Sequence, residues 1–279
     1  MFGLALALAA VASPAWGQES QLDPAELTAD QRLKLLVSSV EPYELKLEDA
    51  SQPLKLHPHP LLRFDNSVGG VVDGVVLMWT DGARPAALAQ VFAIKSKLWL
   101  HEFQSMADRP LALVDGGRSR WQPKQAGASF RPVPDAPQPE ATRASRLTQM
   151  KGIARRFAVS EDFRARAGDK DTTKYELRML AQPAYRYPET NRARDGAIFA
   201  FVHGTDPEAM LTLEAQLDGQ DGGWKFAWAP LTCWALQARL DDAEVWSAPE
   251  MLGKNSATQP YHIWTFQPDA SRIEGQPRK

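Results

Sequence analysis

The sequence predicts a mainly β fold: an antiparallel meander of two related β units, with one helix at its N-terminal side and a second between the units. Three observations predict it. Apolar, β-branched and aromatic runs are cut by turn residues, as where "VVDGVVLMW" ends in "TDGARP" and "AALAQVFAI" follows. Only two segments, "LTADQRLKLLVSSVEP" and "RLTQMKGIARRF", carry a helical repeat of apolar positions. One phrase is written twice, "DGVVLMWTDGARPAAL" from Asp73 and "DGAIFAFVHGTDPEAM" from Asp195.

Aligned without gaps, the two phrases share Asp73/Asp195, Gly74/Gly196, Gly82/Gly204, Pro85/Pro207 and Ala87/Ala209, where background composition gives roughly one identity. Most of these are turn formers: glycine tolerates positive φ and proline pre-sets φ. "LWLHEF" is answered by "WKFAW" after the second phrase. The reading is a two-fold repeat of a strand-turn-strand-strand unit. A meander this long favours a barrel-like or half-barrel closure, with a sandwich as the alternative.

Taken in order, residues 1–17 read as a secretory signal: a short apolar run, then Ala15-Trp16-Gly17 as a small-x-small cleavage site before Gln18. Its start lacks Lys and Arg, so an uncleaved anchor is the alternative. Residues 18–50 hold the N-terminal helix. Thr28 and Gln31 form a capping box, Leu33, Leu36, Val37 and Val40 a stripe, and Pro42 the stop. Residues 51–121 are the first β unit, in which "LWLHEFQSM" turns at "ADRP" into "LALV". Residues 122–145, with Pro123, Pro132, Pro134, Pro137 and Pro139, read as an extended crossing segment.

Residues 146–267 hold the second helix and the second β unit. Leu147, Met150, Ile153 or Ala154, and Phe157 make the helix stripe; Arg146, Lys151, Arg155 and Arg156 make a basic face that reads as solvated. "RRFAVSEDF" and "KYELRML" form a hairpin across "RARAGDKDTT", and "GAIFAFV" turns at "HGTDP" into "AMLTLEAQL". "WKFAW" and "CWALQARL" continue the meander after "DGQDGG". The tail, 268–279, reads as loose.

Composition narrows the function classes. A chain of 279 residues, 44% hydrophobic and 24% charged, buries a sizeable core in one large or two small domains. A net charge of -2 gives no global pull toward nucleic acid or anionic lipid, and no segment beyond the signal is long and apolar enough to span a membrane. The only cysteine, Cys233, excludes an intramolecular disulfide and, lying in an apolar run with no neighbouring base, reads as an inert buried thiol. Nucleophile-elbow, phosphate-loop and dinucleotide motifs are absent, so no cofactor is expected.

Two polar groupings are catalytic candidates. His101 and Glu102 open an "HExxH"-like string, but Ser105 stands fifth. Strand alternation puts Trp99, His101, Phe103 and Ser105 on one face, with Glu102 and Gln104 on the other. His203, Asp206 and Glu208 gather at a turn, where the first phrase has Asp81, Arg84 and Ala86. "HPHP" brings His57 and His59 together, but five scattered histidines show no dedicated ligand spacing, so no metal is expected. Trp224, Phe226 and Trp228 share one strand face, as Trp99 and Phe103 do in the first unit. They read as core, or else as the lining of a groove for a sugar or acyl chain.

The strings "LMWTDGARPAA", "LHEFQSM", "DAPQPEATRASRLTQMKGIARRF", "LRMLAQPAYRY" and "DGAIFAFVHGTDPEAMLTLEA" together resemble a family of uncharacterised exported bacterial proteins. The resemblance runs from Leu56 to Trp246, with Ala83 standing between Gly82 and Arg84 as a departure. It implies membership without an activity. Any family site would fall among Arg84, His101, Glu102, Ser105, Arg146, Gln149, Tyr185, Arg186, Tyr187, Asp206 and Glu208. Arg84, Tyr185 and Tyr187 of that set, with Trp99, Trp224 and Trp228 from the aromatic strand faces, are the ligand-binding candidates. The expected function is an exported, periplasmic or extracellular, non-catalytic binding or structural module with a protein or cell-envelope partner. The alternatives are a hydrolase-like enzyme using either polar group and a carrier of an apolar ligand.

Overall fold

The computed structural model describes residues 22–164, 171–190, 193–216 and 222–273. The expected signal at 1–17, the centres of the "RARAGDKDTT" and "DGQDGG" turns and the end of the tail lie outside the described residues.

Helix α1 (Ala29–Ser38) starts where the capping box places it: Thr28 Oγ1 accepts from the Gln31 amide at 3.2 Å and Gln31 Oε1 accepts from the Thr28 amide at 2.9 Å. Helix α2 (Arg143–Ala154) begins ahead of residue 146, the start expected from its apolar stripe. Thr142 caps it, accepting from the Ser145 amide at 3.1 Å, and a cap sets a helix start independently of the stripe. No helix among the described residues is long and apolar enough to cross a membrane.

The remainder is strand. The first part of the chain gives β1 (Tyr43–Leu47), β2 (Lys55–Leu56), β3 (Leu62–Asn66), β4 (Val71–Asp81), β5 (Arg84–Ile94), β6 (Trp99–Ser105), β7 (Leu111–Asp115), β8 (Arg118–Trp121) and β9 (Arg131–Pro132). The second part gives β10 (Phe157–Phe163), β11 (Thr173–Met179), β12 (Tyr185–Tyr187), β13 (Ala193–His203), β14 (Asp206–Gln216), β15 (Trp224–Pro230), β16 (Ala235–Leu240), β17 (Ala243–Ala248) and β18 (Tyr261–Phe266). They form a small sheet β1-β7-β8, a sheet β18-β6-β5-β4-β2 with β3 also on β4, and a long sheet β17-β16-β10-β11-β13-β14-β15-β9 that curls into a half-barrel, with β12 also on β13. All pairings are antiparallel.

Two expected continuations of the meander take other routes. β7 pairs with β1 instead of β6, and β16 pairs with β10 instead of β15. Pro110 and Pro230 stand at the two departures, and a proline has no N–H with which to extend a ladder. The expected crossing segment is not free: β9, inside it, pairs with β15. β18 was hidden because Tyr261–Phe266 mixes apolar and polar residues without clean alternation, yet it completes the edge beside β6.

The two copies of the repeated phrase fold alike. β4 and β5 pair through Asp81↔Arg84, β13 and β14 through His203↔Asp206, and register shifts fall at Val71/Asp73 and Trp79/Thr80 in one hairpin and at Ala193/Asp195 and Phe201/Val202 in the other. The third strand matches as well, with Trp99 opposite Ala93 and Trp224 opposite Ala215. In each hairpin the glycine after the shared aspartate lets an aromatic ring lie on the backbone. A Cβ on Gly74 would meet the Phe64 ring at 2.4 Å, and one on Gly196 would meet the Tyr187 ring at 2.1 Å. Gly196→Ala is expected to cost about 1–3 kcal/mol by overpacking, read from urea unfolding.

Alternation along these strands builds three apolar layers. Val75, Leu77, Ala87, Ala89, Trp99 and Phe103 face α1; Ala197, Phe199, Leu211, Leu213, Trp224 and Trp228 face α2. The opposite faces meet in a central layer, where Val76, Met78, Leu88 and Leu100 of one sheet pack with Ile198, Ala200, Val202 and Met210 of the other.

Candidate functional site

Each hairpin opens on a buried aspartate that a helix arginine and a strand arginine hold. Asp73 accepts from Arg32 Nε at 2.9 Å and from Arg63 Nη2 at 2.7 Å; Asp195 accepts from Arg146 Nε at 3.1 Å and from Arg186 Nη2 at 2.6 Å. Arg32 also donates to the carbonyl of Leu27, just before the Thr28 cap, and Arg146 to that of Ala141, just before the Thr142 cap. The helix start thereby fixes the arginine, and the arginine fixes the hairpin. Arg146 and Arg186, which the family resemblance offers as site residues, are thus joined in an internal ion network. Gln149 likewise ties down the approach to α2, accepting from the Glu140 amide and donating to the Gln138 carbonyl.

Arg84 reaches across the two sheets. Its Nε donates to Glu214 Oε1 at 2.7 Å, and Tyr187 donates to the same oxygen at 2.7 Å. Tyr185 donates to the Ala83 carbonyl at 3.1 Å. These three ligand-binding candidates therefore spend their polar atoms on the protein itself. Ser105, with no exposed surface, donates nothing outward and packs under Gly127.

The other end of the central layer is different. Strand alternation on β14 sends Asp206, Glu208, Thr212 and Glu214 to one face, and Asp206 and Glu208 meet Glu102 of β6 and Glu161 of β10 there, all four buried. Among the described residues no arginine or lysine forms an ion pair with any of them. Asn66 Nδ2 donates to Asp206 Oδ2 at 3.2 Å, Gln90 donates to the Pro207 carbonyl, and Thr232 donates to Glu161 Oε1 at 3.3 Å. Glu161 Oε2 and Glu102 Oε1 have no hydrogen-bond partner.

Burial dominates the acid–base character of this cluster. It pushes Glu102 up to about 7 and Glu161 up to about 7, and holds Asp206 and Glu208 well above the usual carboxylate range; neighbouring carboxylate charge adds to the rise of Glu102, Asp206 and Glu208, while at Glu161 contact with Glu208 works against it. His203, half-buried at the end of β13, lies with Nδ1 3.4 Å from Glu161 Oε2, and desolvation lowers its pKa. Cys233 stands near the same carboxylates, and desolvation with their charge holds its thiol well above the ordinary range. That leaves it a poor nucleophile.

His203, Asp206 and Glu208 therefore do come together, and Glu102 joins them, while His101 is separated from Glu102 by the sheet itself. His101 is fully buried on the α1 side. Ser39 Oγ spends its proton on the Leu36 carbonyl at 2.7 Å, so it accepts from His101 Nε2 at 2.8 Å, and Tyr43 OH donates to Nδ1 at 2.9 Å. Burial drops His101 to about 3, and the ring stacks on Phe266 at 4.0 Å. It is a neutral ring bonded at both nitrogens, its one N–H held by Ser39 and its lone pair by Tyr43. Glu161 and Ser39 carry no motif; Glu161 could have been found only as an acid on the apolar side of "FAVSEDF".

Above His101 lies an open cleft of about 360 Å³ lined by Ser38, Tyr43, Asp115, Arg120, Trp264, Phe266, Asp269 and Arg272. The tryptophans expected as a possible groove are elsewhere and enclosed. Trp224 and Trp228 are buried in the α2 layer, Trp228 between Phe157, Phe201 and Trp246; Trp99 is buried on the α1 side, its indole donating to the Leu22 carbonyl. That is a filled core, as the first of the two readings of these side chains has it, and it leaves Trp99, Trp224 and Trp228 unavailable as ligand-binding residues. His57 and His59 lie on the surface, with His57 Nδ1 bonded to the His59 carbonyl. Comparison with protein-family models, curated proteins and solved structures finds no match.

Proposed function

We propose that the protein is an exported, non-catalytic binding module whose ligand seat is the cleft above His101, and that the ligand is a neutral sugar ring. The observation that carries this is the cleft wall. Tyr43, Trp264 and Phe266 present partly exposed rings there, flanked by the ion pairs Asp115–Arg120 at 3.1 Å and Asp269–Arg272 at 3.5 Å. Aromatic faces take the C–H side of a sugar, and a polar rim meets its hydroxyls. His101 stiffens the wall from beneath. The apolar run at 1–17 supports export. Trp224 and Trp228, packed in the α2 layer, are not available to line a carrier's cavity.

Saturation-transfer NMR with maltose, cellobiose and chitobiose as probes tests the reading. Transfer to ring protons from at least one disaccharide, lost in Trp264→Ala, is expected. Absence of transfer from all three, or equal transfer in the folded variant, would overturn it.

A further inference from the structure

The central layer between the sheets has two ends, and the protein treats their charges in opposite ways. At one end Glu214 is neutralised by Arg84. In the second hairpin the position that corresponds to Arg84 is occupied by Asp206, so the cation is replaced by a further acid. Every kilocalorie of desolvation that an ion pair offsets at the first end is left to protonation, or to an outside cation, at the second.

We infer that Glu161, Glu208 and His203 form a binding site for a first-row divalent metal ion of the zinc type. One ligand atom from each lies within 4.8 Å of the others, and His203 Nδ1 and Glu161 Oε2 are 3.4 Å apart. The edge of a tetrahedron with bonds of about 2.0–2.1 Å is about 3.3 Å. Glu161 is 0% exposed, and its Oε2 has no hydrogen-bond partner while Thr232 occupies Oε1. An unpartnered oxygen aimed at an equally unpartnered imidazole nitrogen is what a ligand pair presents before the metal arrives, and a hydroxyl on the other oxygen is the usual outer support.

The donor set fixes the class of ion. An imidazole with two carboxylates suits zinc and its neighbours, whereas calcium and magnesium call for oxygen ligands in larger number. Asn66 and Gln90 donate to the two oxygens of Asp206, which stands outside the ligand set. His203, the one partly exposed member, stands at the hairpin end and gives the ion its way in.

The test uses the full chain stripped with chelator and dialysed, then titrated with Zn²⁺ alone by calorimetry and with Co²⁺ by visible absorption. One Zn²⁺ per chain and tetrahedral cobalt bands are expected. Glu161→Gln is expected to weaken Zn²⁺ by at least about 100-fold and to erase the bands, while its thermal midpoint in chelator stays equal or rises, since the change removes an acid that burial disfavours. A His57→Ala, His59→Ala double variant is expected to bind as the wild type does. The proposal is overturned if the chain takes up no Zn²⁺, if Glu161→Gln binds normally, or if binding disappears with His57 and His59.

Discussion

Asp195→Ala is expected to destabilise the protein by about 3–5 kcal/mol, the cost of removing one partner from a buried ion pair. Domains of this kind have on the order of 5–15 kcal/mol in all, so the loss is a large share of the total. Asp195 exposes none of its side chain and is bonded by Arg146 and Arg186, whose side chains are 8% and 18% exposed. Without the carboxylate, the Arg146 and Arg186 guanidiniums are left side by side with no anion between them, and the α2 cap loses its link to the hairpin. Asp73→Ala removes the matching group, but Arg63 is 39% exposed there and regains water. Its cost is expected to be smaller, about 1–3 kcal/mol. Urea unfolding at neutral pH checks both; equal losses, or a loss at Asp195 below that at Asp73, would contradict the burial argument.

The second large effect is on pH dependence in metal-free protein. Glu102 and Glu161 titrate in the folded state near 7, against 4.5 for an ordinary glutamate, and Asp206 and Glu208 are raised as well. Between those values the folded state holds protons that the unfolded chain has released, so stability falls as pH rises toward and through 7. The histidines with a lowered pKa, His101, His203 and His262, act oppositely. His101 titrates near 3 and His262 near 4, against 6.5 unfolded, so their contribution is lost as pH falls below 6.5. From about 4.5 to 6.5 the histidines offset only part of the acids' loss; from 6.5 the acids act alone, and Glu102 and Glu161 add no further loss once the pH has passed their folded value near 7. Thermal midpoints measured in chelator are therefore expected to fall gently across the mildly acidic range and most steeply between about pH 6.5 and pH 7.5. A Glu102→Gln, Glu161→Gln double variant is expected to lose much of that drop. A wild-type midpoint that climbs from pH 6 to pH 8 would sink the assignment.

Much of the architecture was legible because it rests on local rules. The Thr28–Gln31 box, the Asp-Gly phrases and the alternation of β13 and β14 are short-range signals, and they locate α1 and the two hairpins. The β7 and β16 pairings were not legible, because register alone does not say which distant strand an apolar run will join. The arginine networks left a trace that spacing could have revealed. "TADQR" and "TRASR" repeat Thr-x-x-x-Arg, and "RF" and "RY" each precede an Asp-Gly by the same kind of interval. The carboxylate cluster was half visible. His203, Asp206 and Glu208 stand in one turn and strand, but Glu102 and Glu161 come from β6 and β10, and only tertiary packing brings them in. Pairing His101 with Glu102 failed because neighbours along a strand point to opposite faces.

The central claim is that one end of the inter-sheet layer holds carboxyl groups that no arginine or lysine among the described residues pairs with, so that without metal they remain protonated where ordinary carboxylates are ionised. Difference infrared spectroscopy of the chelated protein between about pH 6 and pH 8.5, on either side of the raised carboxyl range and clear of the ordinary one, reads this directly. The account predicts a protonated-carboxyl C=O band at the lower pH that disappears at the higher, and that is weaker in Glu102→Gln. No such band at the lower pH, with all carboxylates already ionised, would contradict it.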